Sequence, residues 1–181
     1  MQTISNRAII SDGSIYFNNY RVDPFFYSLR KLRWDILLTF HYGGVDYYSD
    51  HEFAEKNRRS LIKNLVIRTL KTLNQPRNDI QFAGFTERKN GKCHTHTLIH
   101  IKNKSPISVN TIAEAMKSLT PKEISARDAE DKEKQIEIIS DAEAASAYIC
   151  KFNSNELDIH QIFLSKNFIN FIKQEKIWVC T

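Results

Sequence analysis

Apolar and polar positions follow two different periods along the chain, and the changes of period mark its elements. Residues 34–42, WDILLTFHY, form an apolar and aromatic run stopped by Gly43-Gly44, the pattern of a buried strand. Residues 52–73 place Leu61, Leu65, Ile67, Leu70 and Leu73 at mostly helical spacing. Asn74-Gln75-Pro76 ends that helix, because proline cannot continue the hydrogen-bond ladder. Residues 79–87 and 93–101 read as two strands joined by Arg88-Lys89-Asn90-Gly91-Lys92. Asn-Gly takes positive φ at low cost, so it favours a tight hairpin there. Residues 109–119 read as a helix with Ile112, Ala115, Met116 and Leu119 on one face, and 121–134 as a charged loop. Gln135 to Ile139 alternate as a short strand. Ser140 and Glu143 stand as a capping box opening a helix through about Lys151. Asn153-Ser154-Asn155 punctuates, and residues 156–174 read as a last helix or two.

The order β-α-β-β-α-β-α predicts an α+β fold, a central antiparallel β-sheet covered by helices, of ferredoxin-like or RRM-like type. No internal repeat and no long linker is visible, so residues 1–181 are expected to form a single domain. Within it, residues 1–33 are either an N-terminal extension or, through Ser14 to Tyr20, an extra edge strand. Residues 153–181 are a C-terminal helical segment.

Composition changes this picture little: 41% hydrophobic and 26% charged residues are ordinary for a globular protein. No uncharged apolar run approaches the roughly 18 residues of a membrane span. Met1 to Ile10 hold no long apolar stretch, so no secretory signal and no membrane partner are expected. Cys93, Cys150 and Cys180 form no C-x-x-C pair, which argues against a disulfide framework or thiolate zinc site and for a cytoplasmic setting. Charge says more by its distribution. Residues 1–105 hold 17 Lys+Arg against 9 Asp+Glu, whereas residues 106–181 hold 9 against 12. Arg58, Arg59, Lys63, Arg68 and Lys71 fall along one predicted helix, and Arg88, Lys89 and Lys92 cluster at the predicted hairpin turn. Basic residues near Tyr42, Tyr47, Tyr48, Phe82 and Phe85 would suit single-stranded nucleic acid, which needs phosphate neutralisation and base stacking. A solvated helix face and an aromatic core explain the same residues.

The chemistry concentrates in Glu87-Arg-Lys-Asn-Gly-Lys-Cys-His94-Thr-His96-Thr-Leu-Ile-His100. On a strand, His94 and His96 project from one face, about 6–7 Å apart at the backbone, close enough to share a metal ion. Cys93 points to the opposite face. His100 has the right parity but lies roughly 13 Å beyond His96. Glu87, on the partner strand, reaches the imidazoles if the hairpin pairs in register. Two His and one carboxylate suit Mg²⁺ or Mn²⁺ with positions left open for water and a phosphate oxygen. Two part-buried His bonded to their neighbours are the alternative. A second signal is Ala147-Tyr148-Ile149-Cys150-Lys151 on the capped helix. Tyr148 and Lys151, at i and i+3, share a face. A Tyr hydroxyl can be a nucleophile and a Lys can stabilise charge on a phosphate, although a half-exposed Tyr with a snorkelling Lys is the commoner arrangement. Ala142, Ala144, Ala145 and Ala147 keep the helix slim.

Taken together, the chain resembles the HUH endonucleases, and within them the rolling-circle replication initiators (Rep proteins) of small plasmids, phages and circular single-stranded DNA viruses. Residues 36–42, ILLTFHY, resemble the first motif. His94-Thr95-His96 resembles the metal motif, with Glu87 placed like the third ligand of several branches. Tyr148-Ile-Cys-Lys151 resembles the nucleophile motif. The three occur in the family's order across residues 34–152. Thr95 departs from the bulky apolar residue usual between the two His. Position 152 is Phe, so the resemblance is to the single-tyrosine type, and no G-x-x-x-x-G-K-S/T of a helicase domain follows.

The resemblance implies a metal-dependent transesterification. Tyr148 would attack a single-stranded or hairpin origin DNA, leaving a 5′-phosphotyrosine link and a 3′-hydroxyl that primes synthesis. Glu87, His94 and His96 would hold the metal, Lys151 would attend the phosphate, and Arg58, Arg59, Arg88, Lys89, Lys92 and Tyr42 would contact DNA. Unwinding and synthesis would need a helicase and polymerase from host or replicon, and completing a round would need a second copy of the chain or another nucleophile. An HUH transposase or relaxase of a mobile element, and a non-catalytic nucleic-acid-binding module, are the competing readings. None of the six His is followed at +2 by Ser or Thr, which excludes a 2H-type phosphoesterase.

Overall fold

The structure is a computed structural model that describes residues 2–5, 8–11, 14–17, 20–21, 29–41, 51–76, 80–89, 92–102, 108–121, 133–149 and 162–174. Side chains are described throughout these stretches except at 2–21, 41, 51–59, 87–89, 92–93, 147, 162–163 and 173.

Near the N-terminus, β1 (Gln2–Ser5), β2 (Ala8–Ser11), β3 (Ser14–Phe17) and β4 (Tyr20–Arg21) pair antiparallel in sequence order as a four-stranded sheet of their own. Ser14–Phe17 is therefore a strand, but it lies between β2 and β4 rather than at the edge of the central sheet.

The central sheet is built from β5 (Ile36–His41), β6 (Ile80–Lys89), β7 (Lys92–Ile101), β8 (Ile136–Ile138) and β9 (Ile162–Leu164). Its order is β8-β5-β7-β6-β9 and every neighbouring pair is antiparallel. Among the described residues four helices accompany these strands: α1 (His51–Thr72) follows β5, α2 (Val109–Leu119) follows β7, α3 (Ala142–Ile149) follows β8 and α4 (Lys166–Gln174) follows β9. The run β5-α1-β6-β7-α2-β8 is the ferredoxin-like βαββαβ unit, with α3, β9 and α4 appended. The fold class is thus the α+β sheet covered by helices that the periodicities predict.

Strand parity separates the two faces. Ile36, Leu38, Phe40, Ile99, Ile101 and Ile80 point to one face and pack beneath Ile62, Leu65, Val66 and Leu70 of α1 and Ile112, Ala113 and Met116 of α2. The stripe of α1 is rotated slightly from the predicted one. Ile62 and Val66 are buried, whereas Leu61 and Ile67 are partly exposed. Thr69 joins the stripe because its hydroxyl donates to the Leu65 carbonyl at 2.9 Å. The helix ends as expected, by a C-terminal motif centred on Asn74 at φ 53°. Gln75 N–H returns to the Leu70 carbonyl and Asn74 N–H to that of Lys71, which satisfies two terminal carbonyls before Pro76.

The other face carries Leu37, Ala83 and Leu98, covered by Leu29 and Trp34, by Ile149 of α3 and by Phe168 and Ile172 of α4. Trp34 is fixed twice. Its indole N–H donates to the Leu29 carbonyl at 2.7 Å, and its ring meets Phe168 edge to face at 5.3 Å.

Two local expectations need correction. The N-cap of α3 is Asp141, not Ser140: its carboxylate accepts the Ala144 N–H at 2.9 Å. Glu143 does not close a box, because with Asp141 as the cap it stands at the second helical position, one short of the box, and it pairs with Arg30 at 3.4 Å. Residues 162–164, read as helical, are strand β9. Ile-Phe-Leu is too short to show a period, and pairing with Ala83, Gly84 and Phe85 of β6 decides its conformation. Among the described residues no helix is long and apolar enough to cross a membrane.

Candidate active site

The face that carries α3 and α4 changes character along the strands. At its deepest level Leu37, Leu98 and Ala83 stand side by side across β5, β7 and β6. One pair nearer the β6–β7 connection come Thr39, His96 and Phe85, and one pair further His41, His94 and Glu87. Directly opposed residues share a face, with Cβ atoms about 4.5–5.5 Å apart. The register therefore sets Glu87 opposite His94, the pairing on which a shared ligand set depends. The strands continue until Lys89 pairs with Lys92, slightly further than the predicted ends.

His94 is half-buried and His96 is 5% exposed. The His96 imidazole is held from two sides. Thr39 Oγ1 lies 3.1 Å from its Nδ1, and the Tyr148 ring meets it edge to face, with centroids 5.0 Å apart and an interplanar angle of 78°. Tyr148 reaches this place because Ile149, the next residue of α3, is fully buried in the core below. That anchor turns the preceding side chain toward the histidine end of the sheet. Tyr148 itself stays 42% exposed. Ala142 and Ala145 pack against the same core, which lets the short helix lie close to the strands.

The remaining predicted site residues divide by position. Lys151 and Tyr42 lie outside the described residues. Glu87, Arg88, Lys89 and Lys92 are placed by their backbone on the hairpin, beside the His94 row, with their side chains outside the description. Arg58 and Arg59 are likewise placed by backbone alone, on α1, which covers the opposite face. Phe85 is 1% exposed and offers no ring to a base, whereas Phe82 is half-buried against the α1–α2 core. Tyr47 and Tyr48 lie outside the described residues. Cys93 pairs with Arg88 on the opposite parity from His94. His100 sits at the far end of β7, where its Nδ1 lies 2.8 Å from the Arg33 carbonyl and 3.4 Å from Asp35. Among the described residues no three His, Cys, Asp or Glu gather as a metal site. The side chains of Glu87 and His41 fall outside that description.

Thr39 and His41 were not singled out by their sequence context. Their signal is the alternation Leu37-Phe40 flanking polar residues of one parity inside an otherwise apolar strand, which marks where one sheet face turns from core to site.

No family model matches the sequence, and no curated protein matches it. Among solved structures, the N-terminal nuclease domain of minute virus of mice non-structural protein-1 is similar at 12% identity, over 84% of this chain and 83% of that one. That structure is described as showing a unique Zn²⁺ coordination in its active-site pocket and a novel mode of DNA recognition at the origin of replication. The TM-score is 0.31, too low to equate the two folds.

Proposed function

We propose that the chain is a metal-dependent, single-tyrosine nicking-joining endonuclease of the HUH type that opens a replication origin for rolling-circle synthesis. The observation that carries this reading is the contact of Tyr148 with His96 at 5.0 Å, which joins two motifs remote in sequence on one sheet face.

The donor set fits a divalent ion. Two imidazoles alternate on one strand, a carboxylate position faces one of them, and a hydroxyl steadies the other ring. Glu87, His94 and His96 would hold Mg²⁺ or Mn²⁺, and the bound ion would supply Lewis-acid polarisation of a scissile phosphate. Tyr148 supplies the nucleophile. Its phenolic oxygen attacks phosphorus, the P–O3′ bond breaks, and the departing 3′-oxygen takes up the equivalent of the proton that the phenol gives up. One phosphodiester replaces another, so the step is reversible and the same site can reseal the strand. The half-exposed position of Tyr148 leaves room for a DNA strand. Lys151, three residues on in sequence, would stabilise charge developing on the phosphate oxygens.

Lys89 and Lys92, at the parity of His94 on the hairpin, would be the phosphate contacts nearest the chemistry, and Arg88, at the opposite parity, would meet the strand where it rounds the hairpin. Arg58 and Arg59 serve a strand that passes around to the α1 face, and Tyr42, just beyond β5, offers a ring for stacking. Phe152 leaves no second tyrosine four residues after Tyr148, so a second copy or another nucleophile ends the round.

The test is a denaturing gel of wild type and Tyr148→Phe with 5′- and 3′-labelled single-stranded oligonucleotides that include the replicon's origin, in Mn²⁺ or EDTA. The expected result is a Mn²⁺-dependent covalent band retaining the 3′-labelled fragment, absent in the variant, whose melting temperature is unchanged. Metal-independent binding without cleavage would sink the proposal in favour of a binding module. The same adduct on transposon ends, and not on the origin, would reassign the chemistry to a mobile element.

A further inference from the structure

We infer that Thr39 is a positioning residue for His96, accepting a hydrogen bond from imidazole Nδ1–H and so committing Nε2 to face the metal and phosphate. This rests on the metal-dependent reading above and adds to it a residue on a different strand.

The geometry is specific. Thr39 Oγ1 lies 3.1 Å from His96 Nδ1, and the two residues are direct cross-strand partners between β5 and β7. Thr39 is itself held from the other side, its N–H donating to the Gln135 carbonyl at 2.8 Å. A β-branched side chain has few χ1 choices, so a backbone fixed on both sides fixes the hydroxyl. His96 is 5% exposed, so little solvent competes for Nδ1. Tyr148 closes another side of the ring.

A neutral imidazole carries one N–H and one lone pair, and the partner at one nitrogen selects which is which. A hydroxyl can accept from Nδ1–H or donate to an Nδ1 lone pair. The first arrangement leaves the lone pair on Nε2, the form a metal ligand requires, and is the one inferred here. In metal centres the non-ligating ring nitrogen donates to a fixed acceptor, and loss of that acceptor weakens metal binding about ten- to a hundredfold. Leu37, at the same parity one pair deeper, shows that an apolar side chain suits this face where no imidazole stands opposite. The hydroxyl at position 39 is thus matched to His96 and not to the core.

The test compares wild type, Thr39→Val and Thr39→Ser. Valine keeps the branched shape and removes the hydroxyl; serine keeps the hydroxyl. Long-range ¹H–¹⁵N spectra of the metal-free protein read the His96 tautomer, and calorimetric titration with Mn²⁺ reads affinity. The expected result is an Nδ1–H tautomer in wild type and Thr39→Ser, its loss in Thr39→Val, and Mn²⁺ binding about ten- to a hundredfold weaker in Thr39→Val alone. Equal Mn²⁺ affinity and an unchanged tautomer in Thr39→Val would overturn the inference and leave the endonuclease proposal standing. Absence of Mn²⁺ binding in wild type would overturn both.

Discussion

Thr95 stands between the two histidines of β7, where the resemblance leads one to expect a bulky apolar side chain. It is fully buried on the α1–α2 face, and its hydroxyl lies 2.9 Å from that of Thr86 on β6. The polar group is accommodated because a second threonine sits directly across the strand pair. Thr97, two residues on, is equally buried, but its Oγ1 has no hydrogen-bond partner among the described residues and faces Gly84 and Leu38 in the register. A buried hydroxyl without a partner carries its desolvation cost uncompensated. Thr97→Val is therefore expected to leave stability unchanged or raise it by up to about 1 kcal/mol, whereas Thr95→Val lowers it by about 1 kcal/mol. Urea unfolding curves with a common m-value distinguish the two. The sequence shows both threonines at one parity; which of them finds a partner depends on β6.

Helix α3 decides where Tyr148 stands, and it is only 8 residues long, so its first turn matters. Asp141 accepts the Ala144 N–H, and its carboxylate also suits the helix N-terminus. Asp141→Ala is expected to cost about 1 kcal/mol and to slow the proposed adduct formation through fraying of the helix that carries Tyr148. Ser140→Ala should stay within about 0.5 kcal/mol of wild type. Thermal melts and single-turnover adduct gels on the two variants check this. The capping-box spacing places the helix start within a residue but on the wrong cap, because Ser140 and Asp141 are both good caps and local pattern does not choose between them. Strand β9 is not legible in local pattern either. Its conformation comes from β6, and Ser165 then links sheet to helix: its N–H donates to the Phe82 carbonyl at 2.8 Å, while its hydroxyl accepts the N–H of Phe82 at 3.0 Å and of Phe168 at 3.2 Å.

For the molecule as a whole, an apolar cluster packs against each face of the sheet and supplies burial that needs no metal. Folding is thus expected to proceed without metal, and a metal bound to the folded state alone adds stability by mass action. Removing metal with EDTA should leave a cooperative melt. Mn²⁺ at a hundred times its Kd should add about 2.7 kcal/mol. His94→Ala and His96→Ala should each abolish the increment while still folding. Melting curves with Mn²⁺ and with EDTA measure both. Collapse of the fold in EDTA would make the ion structural, contrary to this arrangement.

Local pattern determined most of the central elements. Apolar runs, helical spacing, Pro76 and the turn signal of the Asn90-Gly91 sequence, which lies outside the described residues, act over a few residues, and the observed β5, α1, β6, β7, α2 and β8 follow the pattern closely. Strand parity also determined that His94 and His96 share a face. Tertiary structure alone decided the rest. Hairpin register set Glu87 opposite His94, β5 brought Thr39 to His96, and burial of Ile149 turned Tyr148 onto the same ring. It also put α1, with Arg58 and Arg59, on the far face. The physical reason is range. Backbone propensity is written in neighbouring residues, whereas a site is assembled by side chains whose partners are chosen by packing of strands and helices distant in the chain.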